Sequence, residues 1–300
     1  MWLGATARLD FTAGCSIMHF QSCTLQCNPR RGEGCSGKGN PLKVKQYIEL
    51  VESEGNQFAN AAALGDWDVE IAACAGWTMR DLVRHLGMIH LWAAANVAFP
   101  EPDWLDVDEL PDLVRYWPEL TGESGQYPDD DGLVDWYRAT LANLVDVLKS
   151  APVDVEAFTF LPAPSPLSMW ARRQANEIAV HRFDAEEARG ITSNFDPLFA
   201  ADMIDEVLVG FAGRPRPIDI ESPKVLHLHA DDTDDHWYVT ITADGFETSS
   251  EGDHADLTIT GTASDLNIVL WNRAAGPSIT MVGNTDVFDY WANGSQVRWA

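Results

Sequence analysis

The chain has 300 residues, of which 46% are hydrophobic, and its 20 basic and 46 acidic residues give a formal net charge of −26. This length and apolar content predict two domains with a sizeable core. The negative charge argues against a polyanionic partner such as DNA or RNA, and the absence of any run of 18 or more apolar residues predicts no membrane span.

Residues 1–40 differ from the rest and are predicted to be a disordered leader or tail, from an upstream start codon or an appended segment. They hold four of the five cysteines and lack the basic start and apolar core of a signal peptide. Cys15, His19, Cys23 and Cys27 favour a zinc site only weakly, because paired C-x-x-C knuckles are missing. Cys74, the remaining thiol, predicts a reducing, cytoplasmic protein without disulfides.

Four amphipathic helices are predicted in residues 41–195. Thr78 and Asp81 form a capping box that begins the second helix, and Gly190 ends the fourth as a C′ residue. Residues 99–129 are rich in Pro, Asp and Glu and are expected to form a long acidic loop over the surface. Together these connections predict an antiparallel four-helix bundle. The predicted helices are 42–64, 78–97, 132–150 and 165–190.

After residue 195 the apolar pattern changes from helical to alternating. A fifth helix over 196–211 precedes segments that alternate like half-buried strands. Strands followed by helices predict a small α/β domain over 196–300, so the expected fold class is α+β. His227 and His229 point outward in this pattern and are expected to be solvated edge residues. The predicted strands are 225–230, 237–243, 246–249, 257–260 and 279–282, and the last two helices are 261–271 and 286–292.

The fourth helix carries the most informative pattern of the chain. At helical pitch Glu177 and His181 lie one turn apart on a stripe with Trp170 and Arg173. A carboxylate and an imidazole on the inward side of a helix need a partner, and a divalent metal would serve. His85 faces inward on the second helix and is the natural third ligand. Three protein ligands with one open position describe a catalytic zinc site.

Each of these residues also has a purely structural interpretation. A Glu/His pair at i,i+4 is commonly a helix-surface contact, a lone inward histidine such as His85 is commonly a satisfied core residue, and the donor set also suits nickel or iron. Arg173 either clamps a substrate carboxylate or forms a structural ion pair. Asp184 either orients His181 or forms a surface salt bridge.

The remaining candidates concern the walls of the site. Trp92 and Trp170 are predicted to line a pocket for a cofactor, together with Trp77, although a core position is the alternative. His90 lies away from the face of His85 and is expected to be exposed or to line the mouth. The sequence has no phosphate loop, nucleophile elbow or dinucleotide fingerprint, and Cys74 lacks a nearby histidine pattern, so catalysis by a side-chain nucleophile is not supported.

Four segments carry a recognisable pattern: CAGWTMRDLVRHLG at 74–87, WARRQANEIAVHRFDA at 170–185, GTASDL at 261–266 and LWNR at 270–273. Together they resemble the mycothiol-dependent maleylpyruvate isomerase family, within the wider DinB-like superfamily. The resemblance covers roughly residues 41–300. It departs from the family at Ala75, where proline is usual, and at Asn272, which is often glycine.

The resemblance implies a DinB-like bundle followed by a small α/β domain related to sterol carrier proteins. It implies that His85, Glu177 and His181 bind one zinc ion and that Arg273 serves the active site. The implied partners are a small-molecule thiol, mycothiol, and an electrophilic substrate. A thiolate would add to the C=C bond of a cis diacid and leave after rotation, as in the isomerase, or stay attached, as in an S-transferase. A binding protein with structural zinc and a zinc hydrolase remain alternatives, and the oligomeric state is not predicted.

Overall fold

The computed structural model describes residues 42–99, 105, 107 and 109–295, so the predicted leader and its possible zinc site lie outside the described residues. Helices come first and a mixed sheet follows, which confirms the α+β class. The helices are α1 Val44–Ala62, α2 Met79–Ala98, α3 Pro118–Thr121, α4 Asp130–Ser150, α5 Pro166–Ala188, α6 Pro197–Asp205, α7 Ala263–Leu270 and α8 Asp286–Gly294; the strands are β1 Lys224–Ala230, β2 Asp235–Thr242, β3 Gly245–Ser249, β4 Leu257–Gly261 and β5 Thr280–Gly283.

The ends of the helices that carry the site follow the predicted capping residues. At the start of α2 the side chain of Thr78 accepts a hydrogen bond from the backbone of Asp81, and the Asp81 carboxylate accepts one from the backbone of Thr78 at 2.9 Å. After α5, Gly190 adopts a φ of +69°, the left-handed conformation that glycine adopts without steric cost. Local sequence therefore defines where both helices begin or end.

The four long helices pack side by side as a closed ring. α1 contacts α4 and α5, and α2 contacts the same two helices. The approach of α2 to α4 is especially close at Gly87, where an added Cβ would lie 2.3 Å from the Trp136 ring. This packing fixes the separation between α2 and α5, which carry the predicted metal ligands.

The acidic segment between α2 and α4 differs from the prediction of a surface loop. A 3₁₀ turn at Leu110–Leu113 and the short helix α3 lie within it, and Leu113 and Trp117 are buried. The Trp117 indole donates a hydrogen bond to the carbonyl of Leu91 at 3.0 Å. The prediction was wrong because it rested on the acidic composition of the segment. A few apolar residues within the segment are spaced at about one helical turn, and these residues are buried.

The sheet has the strand order β3-β2-β1-β4-β5, in which only the β1–β4 pair is parallel. Leu226 and Leu228 of β1 are buried, so His227 and His229 lie on the opposite face. The prediction that these histidines are edge residues was wrong, because β1 pairs on both sides. Alternation identified the face of the strand but contained no information about its neighbours.

The segment between the long helices and the sheet is helical, as predicted, but changes type. α6 continues into a π-helical turn at Glu206–Phe211. Asp202 of α6 accepts hydrogen bonds from Tyr47 of α1 at 2.8 Å and from Arg172 of α5 at 3.0 Å, which fixes the segment against both helices. None of the helices in the described part of the chain is both long enough and apolar enough to cross a membrane.

We expect Gly87→Ala to lower the free energy of unfolding by about 1 kcal/mol or more. Overpacking against the rigid Trp136 ring costs about 1–3 kcal/mol, whereas the better helix propensity of alanine returns at most about 1 kcal/mol. Gly132→Ala in the first turn of α4 is the matched control, because its Cβ would meet only Pro128, at 3.3 Å. Urea unfolding of both variants measures the difference. Equal stability of the two would contradict the close packing of α2 on α4.

Candidate functional site

Helices α2 and α5 bring the three predicted metal ligands together. His85 Nε2 lies 3.2 Å from Glu177 Oε1, and His181 Nε2 lies 3.3 Å from the same oxygen. The exposed fraction of the side chain is 14% for His85, 16% for Glu177 and 7% for His181. The pair on α5 is one helical turn apart, and His85 reaches it because α2 packs on α5. One carboxylate oxygen therefore lies between two imidazoles.

This arrangement fits a divalent cation. Tetrahedral zinc with bonds of about 2.0 Å places neighbouring ligand atoms roughly 3.3 Å apart, which matches the two separations found. Two imidazoles and one carboxylate are a donor set that zinc accepts with a further position open. The coordinates therefore bring together three donors with suitable spacing, while their role as ligands stays a prediction.

Asp184 connects His181 to the C-terminal part of the chain. Its carboxylate lies 2.8 Å from His181 Nδ1 and accepts two hydrogen bonds from Arg273, at 3.0 and 2.7 Å. An Nδ1–H bonded to a carboxylate leaves Nε2 with its lone pair directed at the site. Arg273 also donates to the carbonyl of Trp271. Arg273 therefore orients His181 through Asp184.

Arg173 lies on the other side of Glu177 and bridges it to Glu206. The guanidinium donates to both carboxylates, and Arg173 and Glu206 are almost fully buried. Glu206 belongs to the π-helical turn, a distortion that often occurs near functional sites. These contacts are those of a structural ion pair. A substrate carboxylate would have to compete with both partners for Arg173, and the role of Arg173 as a substrate clamp stays a prediction.

The charges of the site shift its pKa values strongly. Burial alone would raise the pKa of Glu177, but Arg173 and the two imidazoles outweigh burial and hold it well below its ordinary value. Burial lowers the pKa of His85. Burial would also lower the pKa of His181, but the hydrogen bonds that its ring donates to Asp184 and Glu177 raise it to about 10. Without a metal the ring is therefore protonated at neutral pH, and a metal ion would displace the proton on Nε2. Glu177 is thus held as a carboxylate, the form that binds a metal.

The loop before α2 forms one wall of the site. Trp77 donates its backbone N–H to the carbonyl of Cys74 at 2.9 Å, and Gly76 adopts a φ of +82° to allow this turn. The half-buried Trp77 ring lies 4.9 Å from the His85 ring. Cys74 is buried beside His181 and Asp184, with one donor atom of each within 4.8 Å of the others. Local sequence shows no histidine near Cys74 because the neighbours of Cys74 come from α5.

The two tryptophans predicted to bind a cofactor lie deeper in the helical part. Trp92 and Trp170 are buried, with ring centroids 5.0 Å apart. Their indoles donate to the carbonyls of Leu105 and Phe158. These contacts are those of core residues, and a role in cofactor binding stays a prediction.

The prediction that His90 is exposed or lines the mouth was wrong. His90 is completely buried and contacts Thr140, with Nδ1 3.2 Å from the hydroxyl. Burial, followed by the charge of His85, lowers its pKa to about 3. Helical spacing separates His90 from the face of His85 but does not reveal that α4 covers this second face.

Comparisons with known proteins identify both parts of the chain. The family model described as the mycothiol maleylpyruvate isomerase N-terminal domain matches residues 50–186, and the MDMPI C-terminal domain matches residues 199–289. A crystal structure of the mycothiol-dependent maleylpyruvate isomerase is similar, with a TM-score of 0.54 and 14% identity over 80% of this chain and 93% of that one. A histidine-to-alanine mutant of that isomerase gives 0.54 and 13% over the same shares. No curated protein matches the chain by sequence.

We expect Arg273→Gln to lower the free energy of unfolding by about 3–5 kcal/mol at pH 7, because it leaves the Asp184 charge buried without its main partner. Burial raises the pKa of Asp184, but Arg273 and His181 outweigh it and lower the pKa to about 2. Since the folded pKa lies below the unfolded value of about 3.9, this stabilisation is present above pH 4 and is lost as the pH falls towards 2.

Urea unfolding between pH 7 and 3 tests this expectation, and the gap between wild type and variant should narrow below about pH 4. Arg138→Gln is the control, because Arg138 pairs with Asp135 on the exposed surface and should change stability by less than about 1 kcal/mol at any pH. A variant at position 273 that is as stable as wild type at pH 7 would refute the bridging role.

Proposed function

Because the chain belongs to the mycothiol maleylpyruvate isomerase family, we propose that it is a zinc-dependent enzyme that activates mycothiol for addition to an electrophilic substrate of the maleylpyruvate type. The proposal rests on the convergence of three side chains: Nε2 of His85 and Nε2 of His181 lie 3.2 and 3.3 Å from Oε1 of Glu177. The S-transferase reaction, in which the thiol remains attached to the substrate, is the alternative that uses the same three residues.

The metal and thiol, when bound, supply a thiolate that is nucleophilic near neutral pH. The chain provides the frame for this chemistry. Asp184 keeps the Nε2 lone pair of His181 directed at the site, and Arg173 keeps Glu177 ionised. Trp77 places an apolar ring 4.9 Å from the ring of His85 and would limit the access of water there.

Two arginines are proposed to serve a dicarboxylate substrate from the two sides of the site. Arg173 and Arg273 flank the metal ligands, but each already bonds a protein carboxylate. We therefore propose that their first role is to position Glu177 and, through Asp184, His181. A substrate carboxylate would then have to compete with these protein carboxylates for the guanidinium N–H groups.

The finer description of the fold belongs to the same proposal. We propose that residues 41–195 form a DinB-like four-helix bundle and residues 196–300 a domain related to sterol carrier proteins. The ring of α1, α4, α2 and α5 supports the first, and the five-stranded mixed sheet with α7 and α8 supports the second. We also propose a reducing, cytoplasmic setting, which the buried thiol of Cys74 beside His181 supports.

We expect His85→Ala to remove the bound metal and to lower thiol-dependent turnover roughly a thousandfold or more, because metal activation contributes several kcal/mol. Metal analysis of the purified protein and an assay with mycothiol and maleylpyruvate measure the two effects. His254→Ala is the matched control, since His254 is exposed and distant from these ligands in the fold. Wild-type protein that holds no metal, purified without chelators, would sink the proposal.

The same assay separates the related activities. Conversion of maleylpyruvate without loss of thiol indicates the isomerase, whereas thiol consumed together with an electrophile such as a bimane indicates the S-transferase. Ester hydrolysis without thiol indicates a zinc hydrolase, and bound zinc with no turnover indicates a binding protein. The last two outcomes contradict the proposed use of the thiol.

We expect Asp184→Asn to weaken metal affinity by about 10–100-fold, because the residue that fixes a histidine ligand is nearly as important as the ligand. An amide can present its NH₂ group to His181 Nδ1 and reverse the tautomer. Competition with a chelating dye measures the affinity. Asp202→Asn is the control, because Asp202 is also engaged by an arginine and a second side chain but lies outside the three ligands. Equal losses in both variants would indicate a general effect on folding.

A further inference from the structure

A second group of possible metal ligands lies on the open face of the sheet, apart from the site on α2 and α5. His229 of β1 and His236 of β2 are direct partners across the antiparallel pair, and their rings stack 4.2 Å apart at 8°. Asp234 is the last residue of the turn between these strands. One donor atom from each of the three residues lies within 4.8 Å of the others. Two imidazoles and a carboxylate thus converge at the end of one hairpin.

The spacing of these donors is unlike that of ordinary hydrogen bonds. Asp234 Oδ1 lies 3.8 Å from His229 Nε2 and 3.7 Å from His236 Nε2, beyond hydrogen-bond length for both. Ligand atoms around a zinc ion lie roughly 3.3 Å apart, so Asp234 Oδ1 would need to approach each nitrogen by about half an ångström. Both imidazole rings would also need to turn out of their parallel stack so that each Nε2 points at the same ion. The Asp234 carboxylate therefore lies too far from both imidazole nitrogens for hydrogen bonds, at a separation closer to that of two ligands of one cation.

A neighbouring histidine supports the required tautomer of His236. His227 Nε2 lies 3.0 Å from His236 Nδ1, and His227 Nδ1 lies 3.4 Å from the Thr258 hydroxyl. When His236 donates from Nδ1 to His227, its Nε2 has a free lone pair facing Asp234. The Tyr238 ring stacks on His227 at 4.2 Å and holds that ring in place. This is the outer support that metal-binding histidines usually have.

The surroundings admit and attract a cation. The side chains of His229 and His236 retain 28% and 33% of their exposure, so both are open to solvent. A surface cleft beside His236 is also lined by the acidic residues Glu251 and Asp253. The strongly negative chain raises the local concentration of cations.

We propose that His229, Asp234 and His236 form an accessory binding site for a borderline divalent transition metal of the zinc class. Two imidazole nitrogens and one carboxylate oxygen are donors that this class prefers over calcium and magnesium, which bind mainly oxygen. The remaining positions of the ion face solvent. The inference is independent of the function proposed for His85, Glu177 and His181.

Equilibrium dialysis of the full chain against Zn²⁺, followed by metal analysis, tests the proposal. His229→Asn and His236→Asn should each bind one zinc fewer per chain than wild type, and Asp234→Asn should bind it at least about tenfold more weakly. His254→Asn on the same domain is the matched control and should retain the wild-type count. In a His85→Ala background the same difference of one zinc should persist, which separates this site from the other.

Imidazole NMR resonances provide a second readout. Zn²⁺ should shift the resonances of His229 and His236 and leave those of His254 unchanged. The metal-free variants should unfold at the same temperature as the metal-free wild type. A lower zinc count in a variant then results from the missing ligand and not from a loss of folded protein. The proposal is overturned by equal zinc counts in wild type and both histidine variants, or by resonances of His229 and His236 that do not respond to zinc.

Discussion

The need to pair every buried charge governs the centre of this protein. Arg173, Glu177, His181 and Asp184 lie on one face of α5 and are largely removed from water, where an unpaired charge costs several kcal/mol. Their partners are Glu206 and Arg273, which follow α5 in the chain. Together these residues form a row in which acidic and basic side chains alternate, from Glu206 to Arg273. The π-helical turn and the loop after α7 supply the two ends of this row, and α5 supplies its middle. The convergence of His85, Glu177 and His181 is one outcome of that pairing.

The sequence predicted the parts of the site that depend on helical periodicity. Glu177 and His181 one turn apart, and the inward position of His85, follow from spacing alone. The partners of Arg173 and Asp184 could not be predicted in this way, because Glu206 and Arg273 are 33 and 89 residues distant in sequence from them. Only tertiary packing reveals such pairs, so the alternatives for Arg173 and Asp184 stayed open.

Residue type and spacing have further limits in the helical part. Trp92 and Trp170 suit a pocket wall by residue type, and their indole N–H bonds to backbone carbonyls suit a core position equally well, so their role in cofactor binding stays a prediction. The prediction for His90 was wrong because helical spacing does not show that α4 covers a second face of α2. For β1, alternation determined the face of His227 and His229, whereas strand order depends on the parallel pairing with β4, a contact with no local signal.

The ion pair of Asp184 with Arg273 also has an evolutionary consequence. A recombination event between α5 and α6 would leave one fragment with an unmatched buried aspartate and the other with an arginine that has lost its acceptor. An exchanged fragment would have to supply a complementary charge at the same place. Inheritance of the two halves as one unit is therefore favoured by electrostatics, even though each half has its own secondary structure.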